Sequence, residues 1–265
     1  MCGMAGMILA QTQRPAEFWQ DLTETFTDLL WCNEERGKDA TGVAWVSAHR
    51  LASWHKSPLP AQAFLRSARY QSFLREIPEN LVALIGHTRW ATQGDPAVNR
   101  NNHPLICGPV LGTHNGTIVN ATWAFKRMKL PRDGAVDSEV IFRIAERHTR
   151  ASGMDVAAIL ADITRLSGYL SAVITNVECP THLLILKGNR PLSFRVHPDA
   201  KALAYASDDT YLQLCCPHAA GWRSFHLPAM HALEITCDAT LTTRTHPLRF
   251  NAHAERVRPV GQHAG

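Results

Sequence analysis

The chain opens MCGMAGM, with a cysteine at position 2. Enzymes that trim an initiator methionine accept small second residues, and trimming here leaves Cys2 with a thiol and a free α-amine on one residue. That is a nucleophile with its own general base attached. Three further stretches carry chemistry: GHTRWAT (86–92), THNGTIVN (113–120) and VDSEVI (136–141). Each also has a plain structural reading. His87 can be a satisfied core histidine, Asn115–Gly116 can be a type I′ hairpin turn, and Asp137 can cap a helix. Taken together they suit one kind of ligand. A guanidinium holds a carboxylate in a two-pronged fork, and an aspartate holds an ammonium, so Arg89 and Asp137 match the two charged ends of a free amino acid. An Asn side-chain N–H beside a glycine backbone N–H can stabilise an oxyanion, and glycine lets the backbone approach closely. The set fits attack on a carbonyl in the side chain of an amino acid, and glutamine is the obvious candidate.

These residues need rigid elements to hold them. Segment 4–10, MAGMILA, reads as a buried strand. Phe18, Leu22, Phe26, Leu29 and Leu30 recur at helical spacing between Pro15 and Gly37, which punctuate a helix. TGVAWVS and LASWHK read as a hairpin turning at His49–Arg50. Short helices are expected across 60–76. LVALIGHTRW and PVLGTHNG read as apolar strands with polar ends, separated by the long polar loop ATQGDPAVNRNNHP. DSEVIFRIAERH places Val140, Ile141, Ile144 and Ala145 on one helix face with Asp137 or Ser138 at its N-cap, and DVAAILADITRL is a second helix. Strands YLSAVITNV, THLLILKG, LSFRV, ALAYAS and HALEIT follow. Strands and helices are grouped rather than strictly alternating, which favours an α+β fold with antiparallel sheets.

Composition narrows the function classes. With 265 residues, 45% apolar and 19% charged, the chain is an ordinary globular protein with a sizeable core. A net charge of +4 without basic runs argues against nucleic-acid binding. No apolar run approaches the length of a membrane span, and no signal-like start is present. Seven cysteines without C-x-x-C spacing fit a reducing, cytoplasmic setting better than a disulfide framework. The pair Cys215–Cys216 with His218 lacks a second ligand pair, so no metal is expected, and no cofactor is implied.

The stretches MCGMAG, RGKDATGVA (36–44), GHTRWAT, NNHP (101–104), HNGTIVN and DSEVI, in this order and spacing, resemble a class II glutamine amidotransferase domain of the N-terminal-nucleophile hydrolase superfamily. They are similar to the glutaminase domains of glucosamine-6-phosphate synthase and amidophosphoribosyltransferase. GYLSAVI and LAYASDD fit as well, so the resemblance covers most of 2–236. It implies a four-layer αββα sandwich of two antiparallel sheets across a domain at 2–250, with 251–265 a loose tail. It implies Cys2 as nucleophile with its own amine as base, and Asn115 and Gly116 as oxyanion hole. Arg89 would bind the L-glutamine α-carboxylate and Asp137 its α-ammonium. Trp90 and Thr92 would line the pocket, and about 90–103 would be a glutamine lid. Family members usually fuse this domain to the synthase that uses the ammonia; here the ammonia is expected to pass to a synthase on a separate chain.

The sequence departs from the pattern at Gln93, where amino-sugar synthases tend to carry histidine. RGKDATG leans toward the purine enzyme and GHTRWAT toward the amino-sugar enzyme. Two other functions remain open at this point: an N-terminal-cysteine hydrolase of another amide, which the Arg89–Asp137 pair disfavours, and a non-catalytic glutamine-binding protein.

Overall fold

The computed structural model describes residues 1–252. The first half runs β1 (Gly3–Leu9), α1 (Ala16–Asn33), β2 (Ala40–Ser47), β3 (Ala52–Ser57), α2 (Ala61–Leu65), α3 (Ala68–Arg75), β4 (Leu81–Arg89), β5 (Leu105–Cys107) and β6 (Val110–Ile118). It continues through α4 (Ala121–Met128), α5 (Glu139–Arg147), β7 (Thr149–Arg150), β8 (Gly153–Met154), α6 (Val156–Ile163), β9 (Ser167–Asn176) and β10 (His182–Lys187). The remainder is β11 (Ser193–His197), β12 (Ala202–Ala206), α7 (Asp209–Cys215), β13 (Arg223–Phe225), β14 (His231–Cys237), β15 (Leu241–Pro247) and β16 (Asn251–Ala252).

Two large sheets carry the fold. One has the order β13-β11-β12-β1-β4-β2-β3, the other β15-β14-β10-β9-β6-β5, with β16 added in parallel beside β9. All other pairings within them are antiparallel. The apolar runs are continuous because both faces of each central strand are buried. In β1, Ala5, Met7 and Leu9 pack with α1 residues Leu22, Phe26, Leu29 and Leu30, while Met4 and Ile8 face the other sheet. In β10, Leu183 and Ile185 face the first sheet, while Leu184 and Leu186 pack with Val140, Ile141 and Ile144 of α5. The alternation yields an α+β domain of two antiparallel sheets flanked by helices, as expected.

The register brings distant polar residues together. Gly3 pairs with Thr88 and Met4 with His87, so the start of β1 lies beside the end of β4. Ala40 pairs with Arg89 across β2–β4. At Gly37, extended backbone passes so close to the Arg89 carbonyl carbon that a Cβ would collide with it.

Some local expectations are corrected. Asn115–Gly116 makes no turn: β6 runs through both to Ile118, pairing Asn115 with Ser171 and Gly116 with Leu170. Gly116 holds φ +145, and a Cβ there would run into the Tyr169 carbonyl. Of the two residues expected at the N-cap of α5, Ser138 holds that position but is already helical and makes no side-chain cap bond, and the Asp137 carboxylate turns to the Ile118 N–H. Helices α4 and α7 and strands β5, β7, β8, β13 and β15 are not among the expected elements; each is short or polar. Of the tail expected at 251–265, Asn251–Ala252 form β16, and 253–265 lie outside the described residues.

Candidate functional site

Cys2 sits where β1 enters its sheet beside the end of β4. Its Sγ accepts from the Trp90 backbone N–H at 3.3 Å, and the thiol lies 3.4 Å from the Trp90 carbonyl. Its backbone carbonyl accepts twice, from Arg36 Nε at 3.0 Å and from Asn115 Nδ2 at 3.0 Å. Arg36 ends the short 3₁₀ turn after α1, and Asn115 lies on β6 of the opposite sheet. Burial pushes the Cys2 thiol above its ordinary pKa, against the Trp90 hydrogen bond and the nearby positive charges of the N-terminus, Arg89 and Arg36. Such a thiol is mostly protonated at neutral pH and needs a base to become a nucleophile.

Asn115 is buried, and its amide gives its second hydrogen to Ser207 Oγ at 2.7 Å. Ser207 follows β12, and its hydroxyl also accepts from the Met4 N–H at 2.7 Å. One hydroxyl therefore ties β1 of one sheet to β6 of the other.

Arg89 is buried at the end of β4. Its Nη1 donates to Asn102 Oδ1 at 2.6 Å, and its Nη2 donates to the carbonyls of Gln93 and of Gly94, the latter at 2.8 Å. The segment after it is held by Asp39, whose N–H donates to the Arg89 carbonyl at 3.0 Å and whose carboxylate accepts from the Ala91 N–H at 2.7 Å.

Behind β4 and β6 lies a buried histidine cluster. His87 Nε2 donates to the His114 carbonyl at 3.3 Å, across the two sheets. His114 Nε2 faces the Tyr169 carbonyl at 3.1 Å, which can only accept, so this nitrogen carries the proton and Nδ1 accepts from Ser138 Oγ at 2.7 Å. The His103 ring lies tilted against His87, 4.3 Å between ring centroids, and neither of its ring nitrogens has a partner among the described residues. Burial holds all three rings neutral, pushing His87 down to about 3 and His103 and His114 below the usual value.

A cleft of about 80 Å³ opens over Cys2, lined also by Met1, Arg36, Trp90, Thr92, Asn115, Gly116, Thr117 and Arg190. Five of the expected residues, Cys2, Trp90, Thr92, Asn115 and Gly116, thus share one cleft. Arg89 and Asp137 do not line it: both are buried, and the Arg89 charge interacts with the Cys2 thiol and the Asp137 carboxylate. Sequence reasoning gave no role to Arg36, Asp39, Asn102, Ser207 or Arg190. The first four lie in RGKDATGVA, NNHP and LAYASDD, so the stretches themselves were the available signal.

No protein-family model matches the chain. It is 30% identical over 205 residues to the glutamine–fructose-6-phosphate aminotransferase [isomerizing] of Mycobacterium tuberculosis (strain ATCC 25618 / H37Rv), a match covering 72% of this chain and 30% of that protein. The enzyme of the same name from Salmonella typhi is 32% identical over 199 residues, with 72% of this chain and 29% of that protein covered. The matched stretch therefore spans under a third of these relatives' length. Among solved structures, the fold matches glutamine phosphoribosylpyrophosphate amidotransferase from B. subtilis with a TM-score of 0.67, at 19% identity, over 92% of this chain and 49% of that one. It also matches a structure described as the allosteric regulatory enzyme of purine biosynthesis, with a TM-score of 0.70, at 19% identity, over 95% and 50% of the two chains. The chain is thus related in sequence to the glutamine–fructose-6-phosphate aminotransferases over under a third of their length, and alike in fold to the phosphoribosylpyrophosphate amidotransferase.

Proposed function

We propose that this chain is a class II, N-terminal-nucleophile glutaminase that hydrolyses L-glutamine to glutamate and ammonia, with Cys2 as nucleophile. The observation that carries it is the sharing of one small cleft by Cys2, Asn115 and Gly116, in a chain related by sequence to glutamine-dependent aminotransferases. The separate cores inside and outside the paired sheets support the four-layer αββα arrangement of that superfamily across 2–250.

In this mechanism Met1 is removed first. Small-molecule pockets typically enclose about 300–1,000 Å³, far more than the cleft that Met1 helps to close, so loss of Met1 opens room for substrate. The freed amine, with an ordinary pKa of about 7.7–8.0, takes the Cys2 proton directly or through one water. The thiolate attacks the side-chain amide carbon of glutamine. The Gly116 N–H and an Asn115 Nδ2 hydrogen then hold the oxyanion. Asn115 is free to re-aim the hydrogen it gives the Cys2 carbonyl, because Arg36 still satisfies that carbonyl. Collapse of the tetrahedral intermediate breaks the C–N bond, and the amine's proton leaves with the ammonia. Water then hydrolyses the γ-glutamyl thioester to glutamate and regenerates the thiol.

Arg89 binds the α-carboxylate and Asp137 the α-ammonium. Neither lines the cleft in this state: Arg89 is turned onto the Gln93 and Gly94 carbonyls and Asp137 onto the Ile118 N–H. Substrate therefore displaces loop contacts at 93–94 as it enters. The ammonia passes to a synthase, expected on a separate chain.

A glutamate-release assay on Met1-free protein against glutamine, asparagine, γ-glutamyl and acyl amides tests this function. Turnover confined to glutamine and close γ-amides supports it. Preference for another amide, or glutamine binding without glutamate release, overturns it. Affinity purification through a C-terminal tag, which leaves Cys2 free, tests the partner.

A further inference from the structure

Asn102 is fully buried and uses every polar atom it has. Its Oδ1 accepts from Arg89 Nη1 at 2.6 Å, and its Nδ2 donates to the Pro96 carbonyl at 2.7 Å and to Asn99 Oδ1 at 3.2 Å. Its backbone N–H donates to the Asn99 carbonyl at 3.1 Å, and its own carbonyl accepts from Lys56 Nζ at 2.9 Å. Lys56 Nζ also donates to the Pro104 carbonyl at 3.1 Å, so one ammonium pins the chain on both sides of His103. The amide has one workable orientation. A guanidinium only donates and a peptide carbonyl only accepts, so exchanging oxygen and nitrogen would set donor against donor and acceptor against acceptor.

From this geometry we infer that Asn102 is a positioning residue for substrate recognition, one that fixes the Arg89 guanidinium plane and couples it to the loop at 93–99; the inference rests on the glutaminase reading above. Arg89 has three acceptors: the Gln93 carbonyl, the Gly94 carbonyl and Asn102 Oδ1. The first two lie in the loop that an entering carboxylate must displace. Asn102 is in the core, clamped by Lys56, and keeps its hold when they go. Its chemistry also matters. An amide oxygen orients the guanidinium without cancelling its charge, leaving that charge for the substrate. A carboxylate at 102 would keep the acceptor and the shape, but would neutralise Arg89 and set a second acceptor against the Pro96 carbonyl.

The test compares Asn102→Ala and Asn102→Asp with the wild-type, Met1-free chain, using glutamine and its α-methyl ester as substrates. The wild type should favour glutamine. In Asn102→Ala, KM for glutamine should rise about tenfold, the scale of a lost charge-assisted hydrogen bond, with kcat falling less. In Asn102→Asp it should rise further, and the preference for glutamine over the ester, which lacks the α-carboxylate charge, should collapse. Folded variants that keep both the wild-type KM and the wild-type preference overturn the inference. A measurement on the unaltered protein guards against variants that do not fold. The Arg89 guanidinium resonances, assigned with Arg89→Lys, should show hindered rotation both without and with glutamine. Free rotation in either state overturns the positioning role. A wild-type chain that neither binds nor hydrolyses glutamine overturns the glutaminase reading itself, and this inference with it.

Discussion

Asn115 Nδ2 donates to the backbone carbonyl of Cys2 at 3.0 Å, joining two residues 113 positions apart. The proposed nucleophile and the proposed oxyanion donor are thus held by one hydrogen bond before any substrate arrives. Asn115→Ala removes the oxyanion donor and one of the two donors on the Cys2 carbonyl. Loss of one such donor costs roughly 100- to 1,000-fold in kcat, and that is the range expected from steady-state glutamate release. A rate within a few-fold of wild type would remove Asn115 from the mechanism.

Arg89→Ala should act on binding. It leaves the α-carboxylate of glutamine without its guanidinium, at a cost of about 2–5 kcal/mol. KM should therefore rise by more than tenfold, with kcat less affected. Initial rates over a wide glutamine range measure both constants. A KM that does not move contradicts the assignment.

Gly116→Ala should destabilise the fold as well as the site. The residue sits at φ +145 with the Tyr169 carbonyl where a Cβ would go, so β6 and β9 must separate locally. A loss of about 2–4 kcal/mol is expected from forced backbone strain of this kind. Urea unfolding followed by circular dichroism reads it directly; an unchanged midpoint would show that the strand relaxes freely.

The histidine cluster sets an acid limit on stability. His87, His103 and His114 have folded-state pKa values below the usual 6.5 because burial penalises their charged forms. The unfolded chain binds these protons first, so stability is full above about pH 6.5 and falls as pH drops below it. For His87 the fall continues toward about pH 3. His87 contributes about 1.4 kcal/mol per pH unit within that window. Thermal melts between pH 7.5 and 5 should show a declining Tm, and His103→Phe should flatten the decline. Equal slopes in the two proteins would exclude His103 as a contributor.

Much of this was legible in the sequence, for identifiable reasons. Strands buried on both faces are apolar throughout, so β1, β4, β9 and β10 stood out. Helix α1 announced itself through Phe18, Leu22, Phe26, Leu29 and Leu30. The site residues stood out because they interrupt such runs with polar side chains that a plain strand does not need. Their geometry was another matter. Ser207 meets Asn115 across 92 positions and Arg36 meets Cys2 across 34, and no local pattern encodes either contact. Asp137 looked like a helix cap because it stands two residues before α5; what turns it away is the Ile118 N–H at the end of β6, a tertiary fact. Strand β15, LTTRTHP, is largely exposed at a sheet edge and carries no apolar alternation to read.

The central claim is that Cys2, with its own amine freed, attacks glutamine. Acid-quenched intact-mass analysis of protein mixed with glutamine, followed by peptide mapping, tests it most directly. The starting mass should lack Met1, a glutamyl adduct should be confined to the N-terminal peptide, and Cys2→Ala or protein that retains Met1 should show no adduct and no glutamate release. Glutamate released at the wild-type rate by either of those two forms would contradict it.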